Sequence, residues 1–329
     1  MSSSRLRDHY GRLITYLRVS VTERCNLRCF YCLPRTGAEC ARRPQESLND
    51  LFEVVRVGVG LGIHKVRITG GEPLVRPGII EFVGRLSRLD GLTDLALSTN
   101  GTLLAEHALA LKSAGLHRVN VSLDSLRPEV FRAISGRSDL HRVVDGIEAA
   151  HVAGLAPIKL NVVVMRGVND GELLDIVDFA AAHGAQARFI EYMPLGLAQR
   201  WDSSYVSRSE ILDLLRDRLA DAPPSRRPGD TATYFALRTG GEVGVISPVS
   251  CRFCELCNRL RLTADARLRP CLTREGEVDL TQTLRPVADA PRIAQAFHDA
   301  IAGRPPHGTY TTEVRRAPDS NRPMAAIGG

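Results

Sequence analysis

The sequence lacks any long apolar run, which excludes one class of protein at the outset. A membrane-spanning helix needs about 18 consecutive apolar residues, and no uncharged apolar stretch of the sequence approaches that length. The first 16 residues contain arginines but no apolar segment of the kind found in a secretory signal. Hydrophobic residues make up 44% of the 329 residues and charged residues 24%, which excludes wholesale disorder. We therefore predict a globular protein of one or two domains that works in the cytoplasm.

Lysine is nearly absent, since the chain has only Lys65, Lys112 and Lys159 against 40 arginines. A lysine that survives such a bias can mark a place that needs a compact ammonium group, although chance survival explains any one of them equally well. The net charge of +6 is small for a nucleic-acid-binding protein but suits a polyanionic small molecule. Residues 251–274 concentrate this charge, with six arginines and two acidic residues. The stretch is either a solvated basic face or part of an anion site.

From residue 14 to residue 191, short β-branched runs alternate with helical patterns. The pattern predicts strands at 15–21, 65–69, 94–98, 118–123, 158–165 and 187–191. It predicts helices between them at 48–60, 79–89, 103–114, 140–153 and 171–183. Six successive strand–helix units indicate a parallel sheet, either open or curved into a barrel. Beyond residue 194 we expect a helix at 209–219, a surface loop at 223–230, a hairpin pairing 234–238 with 242–246, and a last helix around 293–301.

Polar or cysteine residues lie at or near the carboxyl ends of all six predicted strands. Parallel α/β folds bind ligands at the carboxyl ends of their strands. A purely structural barrel does not need polar residues at these positions. The pattern therefore predicts an active site at the carboxyl ends of the strands. The residues are Cys25, 70–72, 98–101, Ser122 with Asp124, Lys159 with Asn161, and 191–194.

Cysteine is concentrated in two groups, which in a reducing compartment indicates metal or redox chemistry rather than disulfides. Cys25, Cys29 and Cys32 form C-x3-C-x2-C. Three thiolates on a short loop suit a [4Fe–4S] cluster with one iron left open. Structural zinc is the alternative, but it needs a fourth ligand, and neither His9 nor Cys40 stands at the usual spacing. Cys40 is interpreted as an ordinary residue.

The segment CNLRCFYC at 25–32 resembles the signature of the radical S-adenosylmethionine superfamily, including the aromatic residue before the third cysteine. GGEP at 70–73 agrees with a second motif of that superfamily. Its glycines let the backbone approach the methionine ammonium group, and Glu72 helps to fix the local geometry. The resemblance implies a full or partial (βα) barrel. It also implies that the open iron binds S-adenosylmethionine and that cleavage of this molecule yields a 5′-deoxyadenosyl radical.

Cys254, Cys257 and Cys271 form a second triad, C-x2-C-x13-C. Zinc ribbons share such C-x2-C pairs, and Cys251 stands where a fourth ligand is possible. The letters CELCNRLRLT at 254–263 and RPCL at 269–272 resemble one branch of the superfamily, the GTP 3′,8-cyclases of molybdenum cofactor biosynthesis. The resemblance implies a second [4Fe–4S] cluster with three cysteine ligands, which leaves Cys251 outside, and an open iron that binds guanine.

The resemblance carries over to single residues at matching positions. It implies S-adenosylmethionine contacts from Tyr31, Gly71, Ser122 and Met193. It implies GTP contacts from Arg18, Lys65, Arg67, Ser98, Lys159, Arg259, Leu260 and Arg261. Ser98 replaces the threonine common in the family but keeps the hydroxyl. Chains of this branch end in a double glycine that reaches into the active site, so Gly328 and Gly329 are predicted to be catalytic.

The resemblance predicts a lyase that converts GTP to (8S)-3′,8-cyclo-7,8-dihydroguanosine 5′-triphosphate. The adenosyl radical removes the ribose 3′ hydrogen, the carbon radical attacks guanine C8, and a second reduction with protonation completes the product. We expect a partial (βα)6 barrel over residues 1–195 and a region that carries the second cluster, the GTP site and the double glycine over residues 196–329.

The implied partners are GTP, an external one-electron donor of flavodoxin or ferredoxin type, and, functionally, the next enzyme, cyclic pyranopterin monophosphate synthase. A homodimer is possible, and neither nucleic acid nor a membrane is expected. Two alternatives stay open. One is a radical S-adenosylmethionine peptide maturase with an auxiliary cluster, and the other is a metal-stabilised nucleic-acid-binding protein.

Overall fold

Six consecutive strands form the centre of one parallel sheet. In the computed structural model, which describes residues 5–32, 44–195, 201–227, 229–273, 276–308 and 324–328, each of these strands pairs with the next along the chain. The predicted α/β class with a parallel sheet is confirmed. The strands are β1 (Tyr16–Ser20), β2 (Lys65–Thr69), β3 (Asp94–Thr99), β4 (Arg118–Ser122), β5 (Ile158–Val164) and β6 (Ala185–Glu191).

Helices connect the parallel strands, as crossovers between parallel neighbours require. They are α1 (Leu48–Gly60), α2 (Ile79–Leu86), α3 (Leu104–Ser113), α4 (Pro128–Ser135), α5 (Leu140–Val152) and α6 (Leu173–Ala182). Helix α4 was not predicted; it has eight residues and begins at Pro128. The helix expected at 171–183 starts later, because residues 170–172 form a 3₁₀ turn in which the Glu172 carboxylate accepts hydrogen bonds from Ser125 and from the Leu126 N–H.

The C-terminal part of the chain extends this sheet at both edges. β8 (Glu242–Ile246) runs parallel to β6 and forms the expected hairpin with β7 (Ala232–Ala236). β7 begins two residues earlier than predicted. At the opposite edge β9 (Arg259–Leu262) runs parallel to β1, and β10 (Arg267–Arg269) and β11 (Val278–Asp279) follow it antiparallel. The remaining helices are α7 (Trp201–Ser204), α8 (Arg208–Leu215) and α9 (Ala290–Ala302).

The two faces of the sheet differ in chemistry because successive side chains of a strand point to opposite sides. On β1, Leu17 and Val19 are fully buried in the apolar core, whereas Tyr16 and Arg18 face a cavity. Ile246 of β8 and Arg259 of β9 line the same cavity although six strands separate them, so the sheet curves into a partial barrel. Among the described residues, no helix has the length and apolar character needed to cross a membrane.

Candidate active site

A cavity of about 390 Å³ lies inside the partial barrel. Alternate residues of β1 to β6 reach this cavity, together with the loops at the carboxyl ends of these strands. The cavity therefore includes the edge of the sheet at which the polar residues were predicted to lie. Register explains the grouping, since Arg18 lies beside Arg67 on one side and Arg261 on the other. Both cysteine triads and nearly all the predicted site residues line this one space.

The first triad lies on the loop after β1, where Cys25, Cys29 and Cys32 are free thiols. Burial raises the pKa of Cys29 well above its usual value, and the nearby charges of Asp124, Cys32 and Cys25 raise it further. Burial and the charge of Cys25 raise the pKa of Cys32 to about 12, against a hydrogen bond from the Ala325 N–H. The Leu27 N–H donates to Cys25 Sγ at 3.4 Å. Three converging thiols with N–H donors fit the ligand set of an open [4Fe–4S] cluster.

The glycine pair after β2 is needed because this loop packs directly on the cysteine loop. The Gly71 N–H donates to Thr22 O at 2.7 Å, and a Cβ on Gly71 would collide with the Arg24 carbonyl. A Cβ on Gly70 would lie 2.7 Å from Thr22 O. These glycines were expected to let the backbone approach a ligand, and the structure adds this packing requirement. Gly71 also lines the cavity.

Glu72 ties the loop after β2 to the loop after β3. Its carboxylate accepts from Thr99 Oγ1 at 2.8 Å, from the Asn100 N–H at 2.7 Å and from the Leu74 N–H at 3.0 Å. Burial raises the pKa of Glu72 to about 7 in spite of these donors. The expectation that Glu72 fixes local geometry therefore has a physical basis.

The predicted S-adenosylmethionine residues Tyr31, Ser122 and Met193 line the cavity near the first triad. Tyr31 donates from its hydroxyl to Asp124 Oδ2 at 2.7 Å, and Asp124 Oδ1 accepts from the Val163 N–H at 2.8 Å. Burial raises the pKa of Asp124 to about 6. Tyr31 is thereby held in place by a carboxylate that follows β4.

The second triad faces the same cavity from the C-terminal region. Burial raises the pKa of Cys254, with added repulsion from Cys271 and Cys257. Burial also acts to raise the pKa of Cys257, but Arg259 and Arg304 outweigh it and hold that pKa at about 7. Cys251 does not line the cavity, and its sulfur accepts from Arg208 Nη1 at 3.2 Å. Three thiols opening on one space fit a second open cluster.

Single-ion metal sites are a separate question from clusters. Within the described ranges, no three His, Cys, Asp or Glu side chains are grouped so that they hold one metal ion. Cys40 lies outside those ranges.

Cations outnumber anions among the charged side chains of the cavity wall. Among the described residues, ten arginine and lysine side chains line it, against the carboxylates of Asp124 and Asp230. Every predicted GTP-binding cation is present: Arg18, Lys65, Arg67, Lys159, Arg259 and Arg261. Ser98 lines the cavity as well. Leu260 does not, because its side chain points the other way from Arg259 and Arg261 and is fully buried in the core.

Crowding of these cations perturbs their titration. Burial and the neighbouring Arg261 lower the pKa of Arg18 to about 9, and burial with Arg259 lowers that of Arg261 to about 10. Burial and Arg188 lower the pKa of Lys159 to about 8. Burial acts to raise the pKa of Tyr16, but the surrounding cations hold it at about 7. A polyanion relieves such mutual repulsion, so the cavity is suited to phosphate groups.

Five charged residues of the cavity were not singled out from the sequence, namely Arg12, Arg118, Arg188, Asp230 and Arg304. Arg118 pairs with Asp94 at 2.7 Å, Arg188 donates to Asn161 Oδ1, and Asp230 lies 3.8 Å from Lys159. The Asn120 amide accepts from both Arg67 and Arg188 when its oxygen is turned toward them. Period-two alternation of Arg118 and Asn120 with buried valines was the signal available for β4.

The C-terminal segment enters the cavity. Ala325, Ala326 and Ile327 are buried, and the Gly328 carbonyl accepts from Arg261 Nη1 at 2.6 Å and from Arg18 Nε at 3.3 Å. Gly328 has φ +69°, and a Cβ there would lie 2.6 Å from Thr69 Oγ1. Glycine is therefore required at this position by both conformation and space. Gly329 lies outside the described residues.

Comparison with known proteins agrees with this arrangement. Residues 19–180 match the family described as Radical SAM superfamily, and residues 185–310 match that described as Molybdenum Cofactor Synthesis C. A protein of Alkaliphilus oremlandii described as GTP 3′,8-cyclase is 42% identical over 98% of this chain and 100% of its own length. One of Geobacter sulfurreducens with the same description is 44% identical over 98% and 99%.

The fold resembles that of solved structures as well. Streptococcus suis SuiB, solved bound to S-adenosylmethionine, superposes with a TM-score of 0.60 at 13% identity, covering 84% of this chain and 66% of that one. At this identity the likeness concerns the fold alone.

Proposed function

Because this chain belongs to the radical S-adenosylmethionine superfamily and, within it, to the GTP 3′,8-cyclases, we propose that the cavity between the two cysteine triads is its active site. The enzyme is a lyase that converts GTP to (8S)-3′,8-cyclo-7,8-dihydroguanosine 5′-triphosphate in molybdenum cofactor biosynthesis. It uses S-adenosylmethionine and two [4Fe–4S] clusters. The observation that carries the site assignment is that two thiol triads and a dense group of cations open on one cavity.

Cys25, Cys29 and Cys32 are the proposed ligands of the first cluster, with Tyr31, Gly71, Ser122 and Met193 around S-adenosylmethionine. When bound, this pair supplies the 5′-deoxyadenosyl radical that abstracts the ribose 3′ hydrogen. The chain's own contribution is to orient the ribose and exclude other hydrogen donors. The bond between Tyr31 and Asp124 supports this role by fixing one wall of the pocket.

The cations between the triads are proposed to hold the triphosphate. Arg18, Lys65, Arg67, Lys159, Arg259 and Arg261 reach the cavity from four strands, and Arg118 and Arg188 extend the set. Bidentate guanidinium groups match phosphate oxygens, and the desolvation they suffer in the free enzyme strengthens each contact. The binding energy of the triphosphate, which takes no part in the reaction, offsets the cost of orienting the ribose carbon that reacts.

The second cluster is proposed to be held by Cys254, Cys257 and Cys271 and to bind guanine through its open iron. Support comes from their position at the cavity wall, next to Arg259 and Arg261. Gly328 is proposed to close the site between the two triads, since its carbonyl joins Arg18 to Arg261. The same role extends to Gly329.

Other proposals concern partners and organisation. An external one-electron protein donor, flavodoxin or ferredoxin in type, supplies the electrons, and the chain forms a homodimer in the cytoplasm. Cyclic pyranopterin monophosphate synthase consumes the product. Residues 1–195 form the barrel domain and residues 196–329 the auxiliary-cluster region. The seven free thiols of the described residues support a reducing compartment.

Anaerobic turnover tests the function directly. Reconstituted protein is incubated with GTP, S-adenosylmethionine and dithionite, and mass spectrometry quantifies 5′-deoxyadenosine and a GTP isomer of unchanged mass. One 5′-deoxyadenosine per isomer is expected. A reaction with peptide modification and no GTP isomer would favour a peptide maturase, and protein that binds nucleic acid but carries no iron would favour a metal-stabilised binding protein.

A further inference from the structure

A single arginine that follows α9 contacts the segments of two cysteines of the second triad. Arg304 has a side chain only 2% exposed. Its Nη2 donates to the Cys257 carbonyl at 2.9 Å, and its Nη1 donates to the carbonyls of Pro270, at 3.3 Å, and Arg259. Pro270 directly precedes Cys271. One guanidinium group thus joins two ligand segments that are distant in sequence.

The N-terminal segment completes this arrangement. The Asp8 carboxylate, whose side chain is 1% exposed, pairs with Arg304 Nε at 3.1 Å and with Arg12 Nε at 2.6 Å. Arg12 Nη1 in turn donates to the Cys254 carbonyl at 3.0 Å, and its Nη2 to the Pro305 carbonyl at 2.8 Å. We call Asp8, Arg12 and Arg304 the clasp. It touches the backbone at or next to all three cysteines.

The residues after Arg304 add a contact to a sulfur. The Gly308 N–H donates to Cys254 Sγ at 3.2 Å. The cysteine segments themselves have little regular structure, since only a 3₁₀ turn at Cys254–Leu256 precedes β9. Their geometry therefore depends on contacts supplied by both ends of the chain.

Charge gives the clasp a second consequence. Two buried guanidinium groups share one carboxylate, so a net positive charge remains beside the thiolates. Positive charge and hydrogen bonds near the sulfurs raise the reduction potential of an iron–sulfur cluster. Removing the positive charge or the hydrogen bonds therefore lowers the reduction potential of the cluster. Removing a contact that only stabilises the fold leaves the reduction potential unchanged.

We propose that Arg304 is a positioning residue for the second cluster, that Asp8 and Arg12 hold it in place, and that the clasp sets both the assembly and the reduction potential of that cluster. The proposal rests on the proposed function, because it requires Cys254, Cys257 and Cys271 to be cluster ligands. The guanidinium group is essential in this role, since a lysine ammonium cannot reach Asp8 and three carbonyls at once.

The test uses full-length protein reconstituted anaerobically, with Arg304→Lys compared with Arg292→Lys, an exposed arginine on α9, the helix that precedes Arg304. Wild type and the control should bind about eight irons per chain, and Arg304→Lys about four. Release of 5′-deoxyadenosine without GTP should persist in Arg304→Lys, because the first triad is untouched. Loss of a group that hydrogen-bonds to the ligand segments typically lowers metal affinity roughly 10–100-fold.

A second variant covers a failure of Arg304→Lys to fold. Arg12→Lys keeps a charge near Asp8 but loses the fork that joins Cys254 to Pro305. In a Cys29→Ser background, where only the second cluster contributes, an EPR-monitored titration should give a lower midpoint potential for Arg12→Lys than for its parent. A full iron content in Arg304→Lys together with an unchanged midpoint in Arg12→Lys would overturn the proposal. About four irons in wild type would instead remove the second cluster and contradict the proposed function itself.

Discussion

The two cysteine triads have the same ligand chemistry but opposite electrostatic surroundings. Around the first triad, burial, the other thiols and Asp124 all raise the pKa of Cys29. Around the second, Arg259 and Arg304 outweigh burial and hold the pKa of Cys257 at about 7. A cluster beside negative charge is harder to reduce than one beside positive charge. We therefore expect the first cluster to be the stronger reductant, as cleavage of a sulfonium requires, and the second to serve substrate binding.

Substitution of single cysteines should have the largest effect, because each substitution removes one of the two clusters and leaves the other. Cys29→Ser should abolish release of 5′-deoxyadenosine, whereas Cys257→Ser should spare uncoupled release and stop cyclisation, because only the second site holds guanine. Each variant should bind about four irons instead of about eight. Cys251→Ser is the matched control, since Cys251 does not line the cavity, and it should keep its iron and activity. A wild-type protein with zinc in place of half the iron would contradict the two-cluster assignment.

Loss of the terminal glycines should have the next largest effect, since the Gly328 carbonyl accepts hydrogen bonds from both Arg18 and Arg261. Deleting Gly328 and Gly329 removes no charge and little apolar area, so the melting temperature and iron content should hardly change. Formation of cyclised GTP should fall by orders of magnitude.

A point substitution sharpens this prediction. Gly328→Ala should have a similar effect, because its Cβ meets Thr69 Oγ1 and φ is positive. Gly60→Ala is the control, since nothing lies near its Cβ. Equal turnover by the full-length and truncated chains would reduce the tail to an ordinary terminus.

Arginine substitutions on β9 should separate binding from chemistry. Arg259→Ala removes a charge-assisted phosphate contact worth roughly 1.5–3 kcal/mol, so GTP binding should weaken roughly 10- to 150-fold. Arg261→Ala should weaken binding similarly and also lower the maximal rate, because Arg261 donates to the carbonyls of Ile327 and Gly328. Isothermal titration gives the affinities, and guanosine should bind weakly to all variants alike. Equal affinity of wild type for guanosine and GTP would rule out the phosphate assignment.

The smallest predicted effect is a pH dependence of GTP binding. Burial and Arg188 lower the pKa of Lys159 to about 8, against attraction by Asp230. A bound phosphate favours the charged ammonium, so affinity is greatest below pH 8 and falls as the pH rises through that value. One linked proton limits the slope to about tenfold per pH unit.

Measuring the GTP dissociation constant from pH 6.5 to 9.5 tests this expectation. Lys159→Arg should remove the inflection near pH 8, because a guanidinium group keeps its proton to a higher pH than an ammonium group in the same surroundings. An inflection that persists in Lys159→Arg would assign the titration to another group, such as Tyr16, whose pKa is held at about 7.

The first half of the fold was predictable because its signals are local. β2 and α1 have the predicted bounds, since alternating apolar residues mark the strand and the Ser47 cap lies directly before the helix. β9 was missed because Arg259 and Arg261 resemble a solvated stretch unless one knows that their strand faces a cavity. Leu260 was placed in the site with its neighbours, although alternation along a strand turns it toward the core.

The sequence alone indicated iron–sulfur chemistry, because the thiol spacing is local and the ligand types follow from residue type. The resemblance of the motifs at 25–32 and 70–73 to the radical S-adenosylmethionine superfamily then implied the cofactors. The sequence also indicated that the first six strands form a parallel sheet, because helical patterns alternate with them. Only the tertiary structure decided that the second triad faces the first across one cavity, that Arg118, Arg188 and Asp230 join the cations there, and that Arg304 pairs with Asp8. These contacts join parts of the chain as far as 296 residues apart. Their formation depends on how the sheet curves and on which edges the C-terminal strands occupy, and no local pattern encodes either.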